Sequence, residues 1–264
     1  MRKPLGALTK NVAIYGAGDV AVSVINLLLL PIFLRYLSQE DYGALALLIG
    51  VEALSKILFR FGLDGAFMRF YFERTDEQAR AQLTSTICLF LLCVSGLMAA
   101  VGLFSSGAIA GHLFPEFPDR YVTALRFVIM NTFLLTFTFI PFQVMRLRGE
   151  ATTYAAVMLG RSVLTTVLRL VLIVWLGWGV TGLTAADLIV TLLLLPILWP
   201  WTGPLLRGRF SRDDLSASLR FGLPRLPHGL VQQTFDAGNK YLFNQFAPLA
   251  QLASTSSRRH SASL

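Results

Sequence analysis

Several ionisable side chains stand in the most apolar parts of this chain. Within the apolar stretch 42–63 lie Glu52, Lys56 and Arg60, and Asp64 follows at its end. The interval is four residues each time. Four residues carry a helix about 40° beyond a full turn, so the four side chains form one slowly winding stripe. Glu52 precedes Lys56 in the favourable order for an i,i+4 ion pair, which leaves Arg60 less obviously neutralised. The stretch 154–176 carries Arg161 and Arg169 on one side of a helix with no acid between them. Asp19 falls in the stretch 12–34, Asp187 towards the end of 180–199, and Arg126 near one end of 121–145, close enough to snorkel to the interface.

A charge at the centre of a membrane helix costs about 2.5–3.5 kcal/mol even on lenient insertion scales. Such residues therefore face either a partner on another helix or a water-filled path. The first arrangement would tune assembly. The second would make a hydrated, mainly cationic route through the bundle. Lys56, Arg60, Arg161 and Arg169 outnumber Glu52, which favours a route for an anionic group such as a phosphate or an acidic sugar. Arginine suits phosphate because its planar fork donates two parallel hydrogen bonds. Asp19 and Glu52 are the carboxylates placed for proton or sodium coupling, or simply for pairing.

The elements that must position these charges follow from composition. Of the 264 residues, 55% are apolar or aromatic and only 14% are charged, against roughly 25% charged in soluble domains. Mean hydropathy is +0.61. A cytosolic enzyme, a disordered tail and a secreted disulfide scaffold are all disfavoured. A membrane-crossing helix needs about 20 apolar residues. Six stretches qualify: 12–34, 42–63, 83–104, 121–145, 154–176 and 180–199. A seventh, 229–250, carries Gln232, Gln233, Asp236, Asn239, Lys240, Asn244 and Gln245, and would insert only beside shielding neighbours. The expected fold is an all-α polytopic helix bundle of six spans and a partial seventh.

The net charge of +8 has a topological origin. Arg2, Lys3 and Lys10 precede the first span. Arg69, Arg74 and Arg80 follow the second, and Arg146 and Arg148 follow the fourth. Arg207, Arg209, Arg212, Arg220 and Arg225 follow the sixth. The opposite connections hold only Arg35 and Arg120. By the positive-inside rule the chain is a multi-pass protein of the cytoplasmic membrane with a cytoplasmic N-terminus. Tyr36, Tyr42, Trp175, Trp178, Trp199 and Trp201 sit at the expected interfaces. The first apolar run is too long for a signal-peptide core and lacks a small-x-small cleavage site before Arg35, so it reads as a retained span.

Other chemistries fit poorly. The run Val12-Ala13-Ile14-Tyr15-Gly16-Ala17-Gly18-Asp19-Val20-Ala21 matches a dinucleotide fingerprint with Glu40 downstream. No βαβ pattern follows, and the glycines read as small residues that let helices approach in lipid. His112, His228 and His260 lie in expected loops or the tail, away from any triad or metal arrangement. Cys88 and Cys93 share one apolar run and read as small fillers. No metal, no cofactor, no nucleic acid partner and no enzymatic activity are expected. Pro31 and Pro141 fall within a few residues of span ends. Pro196 and Pro200 flank the exit of the sixth span, and Pro224 and Pro227 precede the seventh. Prolines within spans permit bends.

The segment Arg35-Tyr36-Leu37-Ser38-Gln39-Glu40-Asp41-Tyr42-Gly43 resembles the first extracytoplasmic turn of polysaccharide-biosynthesis flippases, a group related to multidrug and toxin extruders and lipid II flippases. Phe61-Gly62-Leu63-Asp64-Gly65-Ala66-Phe67-Met68-Arg69-Phe70-Tyr71 resembles that family's stretch after span two. Gly222-Leu223-Pro224-Arg225-Leu226-Pro227, followed by Asp236 and Asn239-Lys240-Tyr241, is similar to its approach to the seventh span. Members often carry Asp-Arg where Asn239-Lys240 stands here. The motif-matched positions are therefore Asp64, Arg69, Asp236, Asn239 and Lys240.

The resemblance implies two lobes of helices around a cavity, alternating access, and movement of lipid-linked oligosaccharide units to the outer leaflet. The partners it implies are the anionic diphosphate of the carrier lipid, membrane lipids and other glycan-assembly membrane proteins. Lys56, Arg60, Arg161 and Arg169 come from their burial in apolar spans and not from the family motif. On this reading residues 1–222 form a first lobe like that of MATE-like flippases, 223–252 begin a second, and 253–264 are an aberrant Ser/Arg-rich tail. The expectation is a truncated chain or a reading-frame slip. Two other readings stay open: a polymerase or ligase of the same glycan pathway, which should carry a large extracytoplasmic loop, and a non-transporting assembly partner.

Overall fold

The computed structural model describes residues 35–231 together with Val20 and Val24. The first span, nearly all of the seventh, the fingerprint-like run, the tail, and Asp19, Asp236, Asn239 and Lys240 lie outside the described residues. Helices and short connections make up the described chain, with no strand among the described residues.

Helix α1 (Gln39–Arg60) starts with a reciprocal cap. Ser38 Oγ accepts the Asp41 N–H at 3.1 Å and the Asp41 carboxylate accepts the Ser38 N–H at 3.2 Å. These bonds satisfy backbone donors that the first turn leaves open. The helix stops where Phe61 and Gly62 adopt left-handed backbone, φ 51° and 67°. Helix α2 (Leu63–Glu73) follows. Helix α3 (Glu77–Phe104) is capped by Asp76, whose side chain accepts the Ala79 N–H. Helix α4 (Ser106–Leu113) leads to α5 (Pro118–Arg148), which opens on proline and closes at Gly149 with φ 74°. Proline suits a first helical turn and glycine suits such an end. Helix α6 (Ala151–Leu170) continues through a π-helical turn, Val171–Trp175, where the Leu176 N–H reaches back to Val171 O. Helix α7 (Gly179–Thr202) runs into a 3-10 turn, Gly203–Arg207, and α8 (Arg212–Gly222) is capped by Ser211.

Five of these segments are long and apolar enough to cross a membrane: α1, α3, α5, α6 with its π-helical turn, and α7 with its 3-10 turn. They correspond to the second through sixth expected spans. The connection 105–120, expected to be a loop, contains α4 and the first turn of α5. Pro141 and Pro196 lie inside helices and not at their ends. The four-residue stripe is also interrupted: Glu52, Lys56 and Arg60 share α1, whereas Asp64 belongs to α2 beyond the left-handed break.

Helix α5 is the hub. It packs on α1, α3, α4, α6 and α7. Towards the Asp41 end its Leu125 and Ile129 join Leu48 of α1 and Leu183 of α7. Towards the Arg148 end Ile140 and Val144 join Phe67 of α2 and Leu83, Ile87 and Leu91 of α3. Lipid tails are as apolar as these side chains, so close packing and polar links between helices must hold such a bundle together. One such link is the bond from Thr191 Oγ1 of α7 to Asn131 Oδ1 of α5, 2.7 Å long and buried. Leu47, Leu54 and Leu58 of α1 and Val163, Leu164 and Val167 of α6 remain exposed, as lipid-facing side chains should.

Each end of the bundle is tied by charge. Asp41 accepts Arg120 Nη2 at 3.0 Å and the Tyr121 hydroxyl at 2.9 Å, joining the starts of α1 and α5. At the basic end Arg74 bonds both carboxylate oxygens of Asp214, which fastens α8 to the α2–α3 connection. There the backbones of Gly62 and Gly222 touch so closely that a Cβ on either would collide with the other. Gly62→Ala is therefore expected to cost about 2 kcal/mol or more, since it adds left-handed strain to that collision. Gly43→Ala, in open space on α1, should be neutral or stabilise by up to ~1 kcal/mol. Thermal unfolding of both variants in detergent checks the contrast, and equal behaviour would refute the close approach.

Candidate functional site

Helices α1, α5, α6 and α7 surround two adjoining cavities of about 370 and 250 Å³. Both are lined by Glu52, Asn131, Arg169 and Asp187; Lys56 and Arg161 line the second. Spacing explains which side chains arrive there. On α6, Arg161, Ser162, Thr165, Thr166 and Arg169 recur at i, i+1, i+4, i+5 and i+8, a polar stripe of helical period. On α1, Glu52 and Lys56 are one turn apart. Asn131 comes from the hub and Asp187 from the middle of α7.

The charges pair selectively. Lys56 Nζ lies 2.6 Å from Glu52 Oε1. Arg169 grips Asp187 with a fork: Nη2 reaches both carboxylate oxygens at 2.8 Å and Nε reaches Oδ1 at 3.1 Å. The acid missing between Arg161 and Arg169 in the sequence thus comes from the next helix. Arg60 also has partners. It makes a single 3.4 Å contact with Asp64, donates to Leu135 O at 3.3 Å, and lies over the Phe139 ring. Arg60 sits beside the cavity nearer the basic end and is not part of its lining. Arg161 makes no hydrogen bond or ion pair among the described residues, although Asp187 and Glu52 act on it electrostatically. Glu52, Lys56, Arg161, Arg169 and Asp187 are all half-buried. They border open space and not a dry core, where ionised groups would be far more costly.

Three of the four cations singled out in the sequence are therefore matched by acids, and the cavity's unpaired cation among the described residues is Arg161. The two motif-matched residues that the structure describes, Asp64 and Arg69, lie elsewhere. Arg69 pairs with Glu73 at 3.0 Å and stacks on Phe221 of α8 at the basic end. Asp64 belongs to that end as well. Arg126 bonds Ser106 of α4 at 2.8 Å and stays exposed. His112 and His228 are exposed, and no group of metal-ligating side chains occurs among the described residues.

The comparisons with known proteins come to the same architecture. Residues 32–256 match the family model described as polysaccharide biosynthesis protein, and the chain belongs to that family. Comparison with curated proteins returns no match. Among solved structures, a MATE protein in its straight conformation aligns with a TM-score of 0.68 and 21% identity over 92% of this chain and 56% of its own. A MOP superfamily transporter from Pyrococcus furiosus, described as having a binding pocket of reversed polarity, aligns with a TM-score of 0.67 and 20% identity over 85% of this chain and 52% of its own. An outward-facing multidrug resistance MATE family transporter of the MOP superfamily gives a TM-score of 0.62 at 20% identity, again over 85% and 52%. The likeness is one of fold, and this chain spans about half the length of those proteins.

The fork between Arg169 and Asp187 generates a stability prediction. Both side chains are 25% exposed, between the surface case and the fully buried one. Each single variant, Arg169→Gln or Asp187→Asn, is expected to cost about 1–3 kcal/mol by stranding its partner, and the double variant should recover part of that loss. Thermal unfolding in detergent measures the cycle. Strictly additive losses would mean that the pair is not coupled.

Proposed function

We propose that this chain forms a lobe of a membrane exporter that moves lipid-linked oligosaccharide units across the cytoplasmic membrane, with its basic end in the cytoplasm. The observation that carries the reading is Arg161, a cation without a matching acid among the described residues, in a half-open polar cavity inside an apolar bundle. Membership of a polysaccharide biosynthesis family and the fold shared with MATE and MOP transporters support it.

In this mechanism the diphosphate of the carrier lipid enters between α1 and α6. Arg161 supplies the first charge-assisted hydrogen bonds. Arg169 and Lys56 are held one contact away, each oriented by its own carboxylate and able to exchange that carboxylate for phosphate oxygen. The hydroxyls of Ser162, Thr165 and Thr166 provide neutral donors along the same face. Glu52, released from Lys56, becomes the carboxylate available for ion coupling. The saccharide remains in the hydrated cavity and the hydrocarbon tail remains in lipid.

Transport of a fluorescent lipid-linked oligosaccharide in vesicles carrying the chain tests the proposal. Arg161→Gln is expected to lower the rate about 10- to 100-fold, the range for loss of charge-assisted hydrogen bonds. Arg161→Gln combined with Arg169→Gln should abolish movement while the protein still inserts and folds. Unchanged transport in the double variant would sink the cationic route. Absence of transport by the parent chain, with retained capture of other glycan-assembly membrane proteins, would favour the assembly-partner reading.

A further inference from the structure

On a different face of α5 lies an apolar groove of about 560 Å³. The hub helix turns Val128, Asn131 and Leu135 towards the polar cavity, and Phe133, Phe137 and Pro141 towards this groove. The other walls are Leu89 and Leu92 of α3 and Leu195 and Trp199 of α7. Pro141 has no N–H, so the helix wall along the groove lacks one backbone donor. At the basic end the segment after α7 borders the groove with Leu206, Gly208 and Phe210.

That bordering segment is pinned. Ser85 Oγ donates to Leu205 O at 3.0 Å and accepts the Gly208 N–H at 3.0 Å. Thr86 Oγ1 accepts the Ser211 N–H at 3.0 Å. Gly208 rests directly on the backbone of Ala81, where no Cβ would fit. Leu206, Gly208 and Phe210 line the groove, and the intervening Arg207 and Arg209 are exposed on the same segment beside it. Neither makes a hydrogen bond or ion pair among the described residues. An apolar groove bordered by a pinned segment that carries two unpaired guanidinium groups suits a molecule with a hydrocarbon chain and an anionic head.

We propose that this groove is a seat for an anionic bilayer lipid, with one acyl chain between α3, α5 and α7 and its phosphate at Arg207 and Arg209. The occupant is a lipid of the surrounding leaflet and not the transported molecule, because α5 separates the groove from the cavity that holds Arg161. The seat is independent of the transport reading. It would make the docking of the 3-10 turn after α7 on α3 depend on the composition of the leaflet at the basic end.

The probe is phosphatidylglycerol against phosphatidylcholine. The chain is reconstituted in nanodiscs of either lipid and released for mass spectrometry under non-denaturing conditions. The expected result is a retained phosphatidylglycerol molecule, with about 25-fold weaker retention in the Arg207→Gln and Arg209→Gln double variant, since each arginine near an anionic head contributes roughly a fivefold change. Leu92→Trp, which fills the groove from an already exposed position, should reduce retention of both lipids without lowering the unfolding temperature. Equal retention of the two lipids by the parent chain would overturn the proposal. So would a double variant that keeps its preference. If Leu92→Trp instead converts a dimer to a monomer, the groove is a contact between copies of the chain and the lipid assignment fails.

Discussion

A charge taken from water into hydrocarbon must find an opposite charge or keep its water, and this requirement organises the bundle. Neither solution is used alone. Lys56 and Glu52 meet along a single helix. Arg169 and Asp187 meet across two helices through three hydrogen bonds. Both pairs border a cavity, so their desolvation is incomplete and their Coulombic attraction is worth less than in a dry core. Arg161 follows the second course, bordering the same cavity without an acid in contact among the described residues.

The hub helix makes this possible by dividing its labour along its length and around its circumference. Its two ends fill apolar cores with Leu125 and Ile129, and with Ile140 and Val144. Its middle offers Asn131 to the cavity and to Thr191. Threonines on α5 satisfy their hydroxyls within the helix: Thr132 donates to Val128 O and Thr136 to Thr132 O. A polar residue can therefore sit inside the bundle without demanding a partner elsewhere. The same helix presents Phe133 and Phe137 to a mainly apolar groove.

Much of this was legible in the residues because spanning helices are specified by length and composition. The five long helices fall where predominantly apolar runs place them. The pair Glu52–Lys56 could be read from a four-residue interval. Arg169–Asp187 could not, because the partners stand on different helices and only the packing of α6 on α7 brings them together. The cluster of Asp41, Arg120 and Tyr121 was hidden for the same reason, its members lying about eighty positions apart. Helix α4 escaped because eight residues are too few to show a period. Proline proved a poor marker of span ends: Pro141 and Pro196 are accommodated within α5 and α7. The polar stripe from Arg161 to Arg169 was visible as a period, but its hydroxyls became part of a site only once the cavity was seen.

The tally of formal charges around the cavity has a consequence for any cargo. Among the described residues the lining adds up to plus one: Lys56 cancels Glu52, Arg169 cancels Asp187, and Arg161 stands over. A doubly negative head group would leave the chamber with one net negative charge. On the transport reading proposed above, a small cation or a proton entering with that head group would restore the balance.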